Sequence, residues 1–360
     1  MRRRGVCYDA GRVLEGLNWR PVFDAAEIHR ELQIIRDELH CNAVRICGRD
    51  LDRLEVAGRD ALAQGLEVWL SPELWNESPD DTLAYVADAA RVAAALHDRW
   101  PGRVVFSVGS ELSLFMRGIL EGDSFPERIE HLGFIEHIRA GAHNAPLNEF
   151  LRRAAEAVRA VFAGPLTYAS VIFESVDWSR FDFVAVDLYR DADIRDRYEH
   201  VLRRYFTHGR PVAIAEFGCC TYRGAEHAGG MGWAVIDDTT TPPHIKDGLI
   251  RDEQTQAAEL TDLLGIYDRA GVDAAFVYVF STPINAYCDD PRYDFDMANY
   301  ALVKSYGNRL GDAATAYAPL AAALPLLPWD TTRSGVTYPD MPWEPKQAFH
   351  AVARYFAAQS

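Results

Sequence analysis

Arg210-Pro-Val-Ala-Ile-Ala-Glu-Phe-Gly218 is a run of small and branched apolar residues that stops at a single carboxylate, Glu216. A continuous apolar run of this length, bounded by Pro and Gly, indicates a strand that is buried on both faces. In parallel α/β barrels, the carboxyl ends of such strands meet at one polar opening, where the chemistry takes place. The pattern therefore predicts that Glu216 lies at the edge of a functional site.

A second stretch, Arg103-Val-Val-Phe-Ser-Val-Gly-Ser-Glu111, has the same form. The two stretches are the fourth and seventh strand-like runs, which lie on opposite sides of an eight-stranded barrel, so Glu111 and Glu216 are predicted to face each other. Two carboxyl groups roughly 5 to 5.5 Å apart suit cleavage of a glycosidic bond with retention. Ionisation of one discourages ionisation of the other, so one can stay protonated near neutral pH. The alternative is that each glutamate only forms a salt bridge at a strand end.

Strand-like and helix-like runs alternate along the whole chain. The strand-like runs are Gly5–Tyr8, Ala43–Cys47, Leu66–Ser71, Val104–Val108, Leu166–Ser170, Phe183–Leu188, Val212–Ala215 and Ala274–Phe280. The helix-like runs are Ala25–Leu39, Leu51–Gln64, Thr82–Asp98, Leu147–Phe162, Ile194–Phe206, Glu253–Ala270 and Lys346–Ala358. Such alternation implies parallel strands joined by right-handed crossovers. We predict an α/β fold, a (β/α)8 TIM barrel, as one domain spanning residues 1–360. Asp80 and Asp81 are expected to cap the third helix, and Gly65 to terminate the second.

Three long insertions follow strands four, seven and eight. They are Leu112–Pro146, Phe217–Ile250 and Ser281–Pro345, and the last is expected to contain a helix near Tyr300–Leu310. Long loops at the carboxyl end of a barrel build substrate clefts. These insertions are therefore expected to set substrate specificity.

Composition restricts the class of partner. The 360 residues carry a formal net charge of −16, which argues against binding to nucleic acid or to an anionic membrane surface. No stretch approaches the roughly 18 apolar residues of a membrane span. The six cysteines form no regular framework, which favours a reduced, cytoplasmic setting. A neutral or weakly charged small molecule or oligosaccharide is the expected substrate; the sequence does not indicate an oligomeric state.

Several short motifs together resemble the clan A glycoside hydrolases, the "4/7" superfamily, and within it the family-five cellulases and mannanases. The motifs are Gly5-Val-Cys-Tyr8, Asn42-Ala-Val-Arg45-Ile46, Asp187-Leu-Tyr189, Ala215-Glu216-Phe217-Gly218 and Trp343-Glu-Pro-Lys-Gln-Ala-Phe349. The resemblance implies that Glu216 is the nucleophile and Glu111 the acid/base residue. It also implies that Arg45 contacts the nucleophile and that Tyr189 donates a hydrogen bond to it.

Arg45 can also be interpreted from the residues alone. An arginine within a buried strand needs a carboxylate partner, because an unpaired buried charge is costly. Glu216 is the candidate partner, and pairing with Asp9 or another acid is the alternative.

A further set of residues is predicted to contact substrate. The set is Tyr8, Glu73, Trp75, Asn76, Asp187, Phe280 and Trp233. Asp187 points the same way as Tyr189 along its strand. One of Trp178, Trp233 and Trp329 is expected to form a sugar platform, since all three are predicted to lie in loops. For each aromatic residue, simple packing is the alternative.

Two departures from the clan keep other functions open. Ser110 stands where the clan has the Asn that binds the sugar 2-hydroxyl, and Phe280 stands in place of its strand-eight Trp. A barrel that binds a sugar or another ligand without turning it over is the second hypothesis, and a transglycosidase is the third. No cofactor or metal is implied, since zinc-ligand spacings and nucleotide-binding motifs are missing from the sequence. A redox role for Cys219 and Cys220 has no support in the sequence.

Overall fold

The computed structural model describes residues 1–311 and 317–359, and its centre is a closed barrel of parallel strands. The barrel strands are β1 (Arg3–Asp9), β2 (Ala43–Gly48), β3 (Glu67–Pro72), β4 (Val104–Ser110), β5 (Leu166–Val171), β6 (Val184–Asp187), β7 (Val212–Phe217) and β8 (Ala274–Val277). Each strand pairs with the next in chain order, and β8 pairs with β1. The predicted (β/α)8 barrel is confirmed; its extent as a single domain stays a prediction.

Small residues and the large side chain of Trp69 fill the barrel interior. Cys7, Ala43, Ala185 and Ala213 point inward, around the indole of Trp69. The Trp69 ring lies 4.9 Å from the Phe183 ring and 5.0 Å from the Phe276 ring, centroid to centroid. The interior is thus packed as a core, which leaves chemistry to the carboxyl ends of the strands.

Helices surround the barrel, and further short helices lie in the insertions after β4 and β8. They are α1 (Ala25–Asp37), α2 (Leu51–Ala63), α3 (Pro79–Arg99), α4 (Leu112–Phe115), α5 (Phe125–Glu130), α6 (Phe134–Ala140), α7 (Asn144–Arg159), α8 (Tyr198–Arg203), α9 (Glu253–Ala270), α10 (Ala318–Ala323) and α11 (Gln347–Ala357). The predicted bounds of α9 match those observed. The predicted helix Ile194–Phe206 is instead α8 flanked by the 3-10 turns Arg195–Arg197 and Arg204–His208.

Two local predictions about helices need correction or qualification. Helix α3 is capped by Ser78, whose hydroxyl accepts from the Asp81 N–H at 3.2 Å, so Asp80 and Asp81 lie inside the first turn. Pro79 also favours this start, because the N–H of the first helical residue has no partner within the helix and proline lacks that N–H. At the end of α2, Gly65 follows the last capping residue with φ +95°, as expected of a helix-terminating glycine.

The expected helix near Tyr300–Leu310 is wrong. Val303–Ser305 forms a short antiparallel ladder with Trp343–Pro345, followed by a 3-10 turn at Gly307–Arg309. The Leu302 N–H also donates to the Val279 carbonyl at 2.9 Å. Backbone hydrogen bonds to the end of the barrel therefore hold this segment extended.

The insertions after β7 and β8 share a second apolar core above the barrel. Cys220, Met297, Tyr300 and Trp329 are among its buried members. A buried ion pair between Lys346 and Asp296, at 3.2 Å, joins this layer to the start of α11. The described helices include none long and apolar enough to cross a membrane.

Candidate functional site

Glu216 lies at the carboxyl end of β7, and both of its carboxylate oxygens accept hydrogen bonds. Its Oε1 accepts from Arg45 Nη1 at 2.5 Å and from Arg12 Nη2 at 2.8 Å. Its Oε2 accepts from the Tyr189 hydroxyl at 3.0 Å. The structure thus brings Arg45 and Tyr189 to Glu216, and it places Arg45 on Glu216 and Glu73 rather than on Asp9.

Arg12 is a site residue that the sequence reading missed. Just after β1, the Asp9 carboxylate accepts from the Gly11 N–H at 2.6 Å and the Arg12 N–H at 2.9 Å. Gly11 has φ +120°, a backbone conformation that glycine tolerates best. This turn aims Arg12 across the barrel mouth to Glu216. The short Asp-x-Gly-Arg pattern at the end of a strand is the signal that could have identified it.

The charges around Glu216 favour its ionised form. Burial alone would raise the pKa of this carboxyl, but Arg12 and Arg45 outweigh burial and bring the pKa below its ordinary value. Opposite charges and charge-assisted hydrogen bonds both stabilise a carboxylate. Glu216 is therefore an anion at neutral pH, held in a fixed orientation.

Glu73 supports the two arginines and is not placed to bind substrate. It is 3% exposed, and its carboxylate lies 2.7 Å from Arg12 Nε and 3.5 Å from Arg45 Nη2. Burial raises the pKa of Glu73 although both arginines act against this. The expected hydroxyl-binding role is corrected: Glu73 is the second carboxyl group that pairs with Arg12 and Arg45.

Glu111 lies at the end of β4 in a very different environment. Its backbone is left-handed, with φ 48° and ψ 41°, and its N–H donates to the Ala169 carbonyl at 2.8 Å. The side chain is partly exposed, and among the described residues none donates a hydrogen bond to its carboxyl group. Burial, then the negative charges of Asp187 and Glu216, raise the pKa of Glu111 well above its ordinary value. Glu111 is therefore expected to hold a proton where Glu216 does not.

A buried carboxyl group fixes the turn that carries Glu111. Glu174, on the loop after β5, accepts from the Ser113 N–H at 3.1 Å and from the Ser113 hydroxyl at 2.5 Å. The Tyr168 hydroxyl accepts from the Leu112 N–H at 2.7 Å and donates to Glu174. Burial raises the pKa of Glu174 to about 7. Sequence reading missed Glu174, since nothing in its local pattern marks it.

Ser110 and Asp187 form a hydrogen-bonded pair beside the two glutamates. The Ser110 hydroxyl donates to Asp187 Oδ2 at 2.8 Å, and both residues are buried. Asp187 pairs in register with Glu216 on the neighbouring strand. Burial and the charge of Glu216 raise the pKa of Asp187 well above its ordinary value. The expected place of Asp187 in the mouth agrees with this geometry.

Tyr278, the residue that follows β8, contacts the residues of the site. It is partly exposed, and its ring lies 5.0 Å from Arg12 Cζ and 6.2 Å from the Tyr189 ring. Phe280, predicted to line the mouth, is fully buried on the outside of the barrel, 5.4 Å from the Trp343 ring. The prediction extended strand eight to Phe280, but β8 ends at Val277, and Phe280 packs in the core outside the barrel.

Tyr8 also lies outside the barrel, which corrects its predicted role. Its hydroxyl donates to Glu31 on α1 at 2.5 Å, and the Arg20 guanidinium lies 4.9 Å from its ring. Successive side chains of a strand point to opposite faces. Since Cys7 faces the interior, Tyr8 must face the helices.

The side chains of Trp75 and Asn76 contact residues of neighbouring loops. Trp75 is 7% exposed and stacks on Phe115 with 4.4 Å between centroids. The Asn76 amide nitrogen donates to Glu15 at 2.6 Å, and its oxygen accepts from Arg128. Direct hydroxyl binding by Asn76 is therefore corrected to a role in holding the loops at the rim, and Trp75 is mainly packed.

Of the three loop tryptophans, Trp233 alone is substantially exposed. Trp178 packs against Phe181 in the main core, and Trp329 donates its indole N–H to the Tyr293 carbonyl at 2.9 Å. Trp233 is 41% exposed in the insertion after β7. It is the remaining candidate for a sugar platform.

Other features outside the mouth do not add to the site. Within residues 1–311 and 317–359, no cluster of His, Cys, Asp and Glu is arranged to hold a metal ion. Cys219 and Cys220 are buried free thiols, and burial raises the pKa of each. A cavity of about 800 Å³ lies on the outer wall between α9 and α11, away from the predicted site residues.

Comparison with known proteins supports the fold. No family model matches the sequence, and no curated protein matches it. A GH113 β-mannanase, AaManA from Alicyclobacillus acidocaldarius in complex with ManMIm, is 16% identical with a TM-score of 0.56, covering 99% of this chain and 98% of that one. A glycoside hydrolase 5 lichenase from Caldicellulosiruptor sp. F32, in complex with cellotetraose, is 13% identical with a TM-score of 0.55. This match covers 97% of this chain and 92% of the lichenase chain. At these identities the similarity concerns the fold.

Proposed function

Because the chain has the fold of the clan A glycoside hydrolases, we propose that it is a retaining glycoside hydrolase. Glu216 is the nucleophile and Glu111 is the acid/base residue. The observation that carries the proposal is geometric: the two glutamates stand at the carboxyl ends of β7 and β4, and Arg12, Arg45 and Tyr189 hold Glu216. The pKa of Glu216 is displaced downward and that of Glu111 upward, which agrees with this assignment. Carboxyl groups whose environments push their pKa values apart are suited to separate acid and base roles.

The chemistry follows in two balanced steps. First, Glu216 attacks the anomeric carbon, the bond to the leaving oxygen breaks, and Glu111 gives its proton to that oxygen. Then Glu111, now ionised, takes a proton from water while the water oxygen attacks the same carbon and releases Glu216. Glu111 ends protonated and Glu216 ends ionised, as they began.

The hydrogen bonds on Glu216 favour one of its oxygens as the attacking atom. Oε1 accepts from two guanidinium groups, whereas Oε2 accepts only from the Tyr189 hydroxyl. The oxygen with fewer charged donors keeps more of its electron density available. Oε2 is therefore the attacking atom, and Arg12, Arg45 and Tyr189 position it.

The charge of the mouth supports a neutral or weakly charged substrate. Arg12 and Arg45 are already paired with Glu216 and Glu73, so they offer no free cation to an acidic sugar. Glu111 and Asp187 add carboxyl groups that would repel an anion once ionised. The related structures with mannanase and lichenase names support a β-linked glucan- or mannan-type glycoside as the class to test first.

A panel of nitrophenyl glycosides tests the proposed function. We expect wild-type protein to hydrolyse at least one of them, and Glu216→Gln to lose at least about a thousandfold in kcat, as expected when a covalent nucleophile is removed. Glu67→Gln is the matched control, since Glu67 lies at the opposite end of the barrel, paired with Arg3. Unchanged hydrolysis by Glu216→Gln in an active preparation would refute the assignment.

A barrel that binds sugar without cleaving it is the second candidate. The observation that favours it is Glu111, whose carboxyl group has no hydrogen-bond donor among the described residues. Calorimetric binding of a sugar that the protein neither cleaves nor transfers would support this candidate. Product analysis with an added alcohol acceptor separates hydrolysis from transglycosylation. A cytoplasmic location stays a prediction of the sequence.

A further inference from the structure

The loops at the carboxyl end of the barrel differ greatly in length. The chain makes long insertions after β4, β7 and β8, but β5 ends at Val171 and β6 begins at Val184, and β6 ends at Asp187 and α8 begins at Tyr198. In strand order β5 and β6 are neighbours, and β1 lies opposite β5. The β5–β6 arc of the rim therefore carries little chain, and the insertions line much of the rest.

A hairpin after β1 bridges two of these loops. Residues Val13–Leu14 pair with Leu17–Asn18 in an antiparallel ladder. The side chains of Leu17 and Trp19 pack against the apolar core that the insertions after β7 and β8 share. The Trp19 ring also meets the edge of the Trp75 ring, with 5.6 Å between centroids. The hairpin thus connects the β8 insertion with the loop after β3.

Hydrogen bonds tie the tip of the same hairpin to the insertion after β4. Glu15 Oε1 accepts from Asn76 Nδ2 at 2.6 Å and from the Phe125 N–H at 3.3 Å. One carboxylate oxygen therefore joins the hairpin, the loop after β3 and the insertion after β4. We call this connected set the hairpin wall. It consists of residues 13–19, 75–77 and 115–125.

The hairpin wall covers one side of the site. Arg12 reaches into the mouth to Glu216, yet it is 3% exposed, and its Cζ lies 5.9 Å from the Trp19 ring and 5.9 Å from the Trp75 ring. Glu111, at the end of β4, is partly exposed. The two glutamates are therefore open to solvent on the side of Glu111 and covered on the side of Arg12.

We propose that the hairpin wall limits the sugar held by Glu216 to one terminal residue, so that the protein removes single sugars from the non-reducing end of its substrate. This inference rests on the proposed function, because it takes Glu111 as the proton donor to the leaving oxygen. The leaving group then lies beside Glu111, on the open side. The sugar that is attacked lies between the glutamates and the wall, and a further residue on its far end would meet the wall.

The inference separates two classes of substrate. Cleavage within a polysaccharide needs a groove that is open at both ends, whereas cleavage at a chain end needs only one opening. The open side over β5 and β6 leaves room for a leaving group of any length, including a second sugar or an aryl group. The substrate is therefore a simple glycoside or the end of an oligosaccharide, and not the interior of a polymer.

Oligosaccharides with a blocked non-reducing end test the inference. The probes are hexasaccharides of β-1,4-linked glucose, mannose and galactose, each free or with a 4,6-O-benzylidene group on the non-reducing residue. We expect wild-type protein to release the terminal monosaccharide from a free probe, and blocking to lower kcat/KM at least about a hundredfold, because the added group clashes with a packed wall. Release of internal fragments from a blocked probe would overturn the inference. Cleavage of nitrophenyl monosaccharides alone would still support it, because these also present one terminal sugar.

Variants that open the wall provide the second arm of the test. In one variant Gly-Gly replaces residues 14–17, and the other is Glu15→Ala. We expect the shortened hairpin to raise the ratio of blocked to free kcat/KM at least about tenfold, and Glu15→Ala to raise it by a smaller factor. Glu130→Ala, which changes an exposed glutamate on α5, is the matched control and should leave the ratio unchanged. An unchanged ratio in a folded hairpin variant would contradict the wall. If the shortened hairpin does not fold, Glu15→Ala decides by the same ratio.

A failure of the proposed function is distinguishable from a failure of this inference. If wild-type protein cleaves neither the nitrophenyl glycosides nor the hexasaccharides, the proposed function fails, and the free and blocked hexasaccharides are compared by calorimetric binding. Binding of a free probe that is lost on blocking would still support a closed end. Equal binding of free and blocked probes, or no binding at all, would contradict it.

Discussion

Two guanidinium groups on one carboxylate oxygen set the acid–base behaviour of the mouth. Arg12 and Arg45 both donate to Glu216 Oε1, and together they lower its pKa against the effect of burial. Arg12 reaches Glu216 from the turn after β1 and is proposed as a positioning residue. Loss of Arg12 should therefore change the pH dependence of kcat/KM, and not only the stability of the protein.

Arg12→Gln is expected to raise the pKa of Glu216. In the proposed mechanism Glu216 attacks as an anion, so the acidic limb of the kcat/KM profile should move to higher pH, with a loss of about 10- to 100-fold near the wild-type optimum. Arg12→Lys keeps the charge and should shift the limb less. An acidic limb at the wild-type pH in both variants would show that Arg12 does not act on Glu216.

In the proposed mechanism Glu111 controls the basic limb of the same profile. Burial and the charges of Asp187 and Glu216 raise its pKa, so activity should fall as pH rises through that value and the proton is lost. Glu111→Gln should remove this basic limb and lower kcat most for glycosides with poor leaving groups, because these need the proton. Equal losses for good and poor leaving groups would count against the acid role.

The site residues that could be predicted from the sequence lie in strands or at their ends, whereas those that could not be predicted lie in loops. Glu111, Glu216 and Arg45 end or lie in apolar strands, so the strand pattern places them, whereas the contact of Tyr189 with Glu216 was expected from the family resemblance. Arg12 and Glu174 lie in loops whose direction depends on turns and distant partners. Tyr8 faces the helices because successive side chains of β1 alternate between its two faces, and Phe280 lies beyond the end of β8, so the strand pattern does not fix its direction.

The loop that follows β4 depends on the ionisation of a buried group. Glu174 has a pKa of about 7 in the folded protein against an ordinary value of 4.5. A raised pKa means that the folded state favours the protonated form. The stabilisation is complete below pH 4.5 and is lost as pH rises through 7.

Glu174→Gln removes this titration. Wild-type stability relative to the variant should therefore decline by about 3 kcal/mol between pH 4.5 and pH 7 and stay level above. Urea denaturation of both proteins at pH 4.5, 6 and 8 measures the difference. A difference in unfolding free energy that is constant across these three values would contradict the raised pKa.

The closed barrel depends on a close approach between strands β1 and β8. A Cβ atom on Gly5 would lie 2.5 Å from the Phe276 ring and 2.9 Å from the Ala43 carbonyl oxygen. Phe276 is fully buried and also packs against Trp69, so its ring has little room to move away. Glycine at this position lets the barrel close around the rings of Trp69, Phe183 and Phe276.

Gly5→Ala is expected to destabilise the protein by about 1–3 kcal/mol, the usual cost of overpacking. Gly265→Ala on α9 is the control, since its new Cβ would meet only the flexible end of Arg269, and alanine favours a helix. Urea denaturation should show a lower midpoint for Gly5→Ala and an unchanged or higher midpoint for Gly265→Ala. Equal midpoints for the two variants would refute the packing argument.

Peptide mapping after reaction with a mechanism-based 2-deoxy-2-fluoro glycoside tests the central claim most directly. The fluoro sugar slows the release of the glycosyl group, so the label stays on the attacking carboxylate long enough for mass spectrometry. We expect one glycosyl group per chain, attached to Glu216 and absent from Glu216→Gln. A label on another carboxyl group, or turnover of the parent glycoside with inversion at the anomeric carbon, would contradict the account.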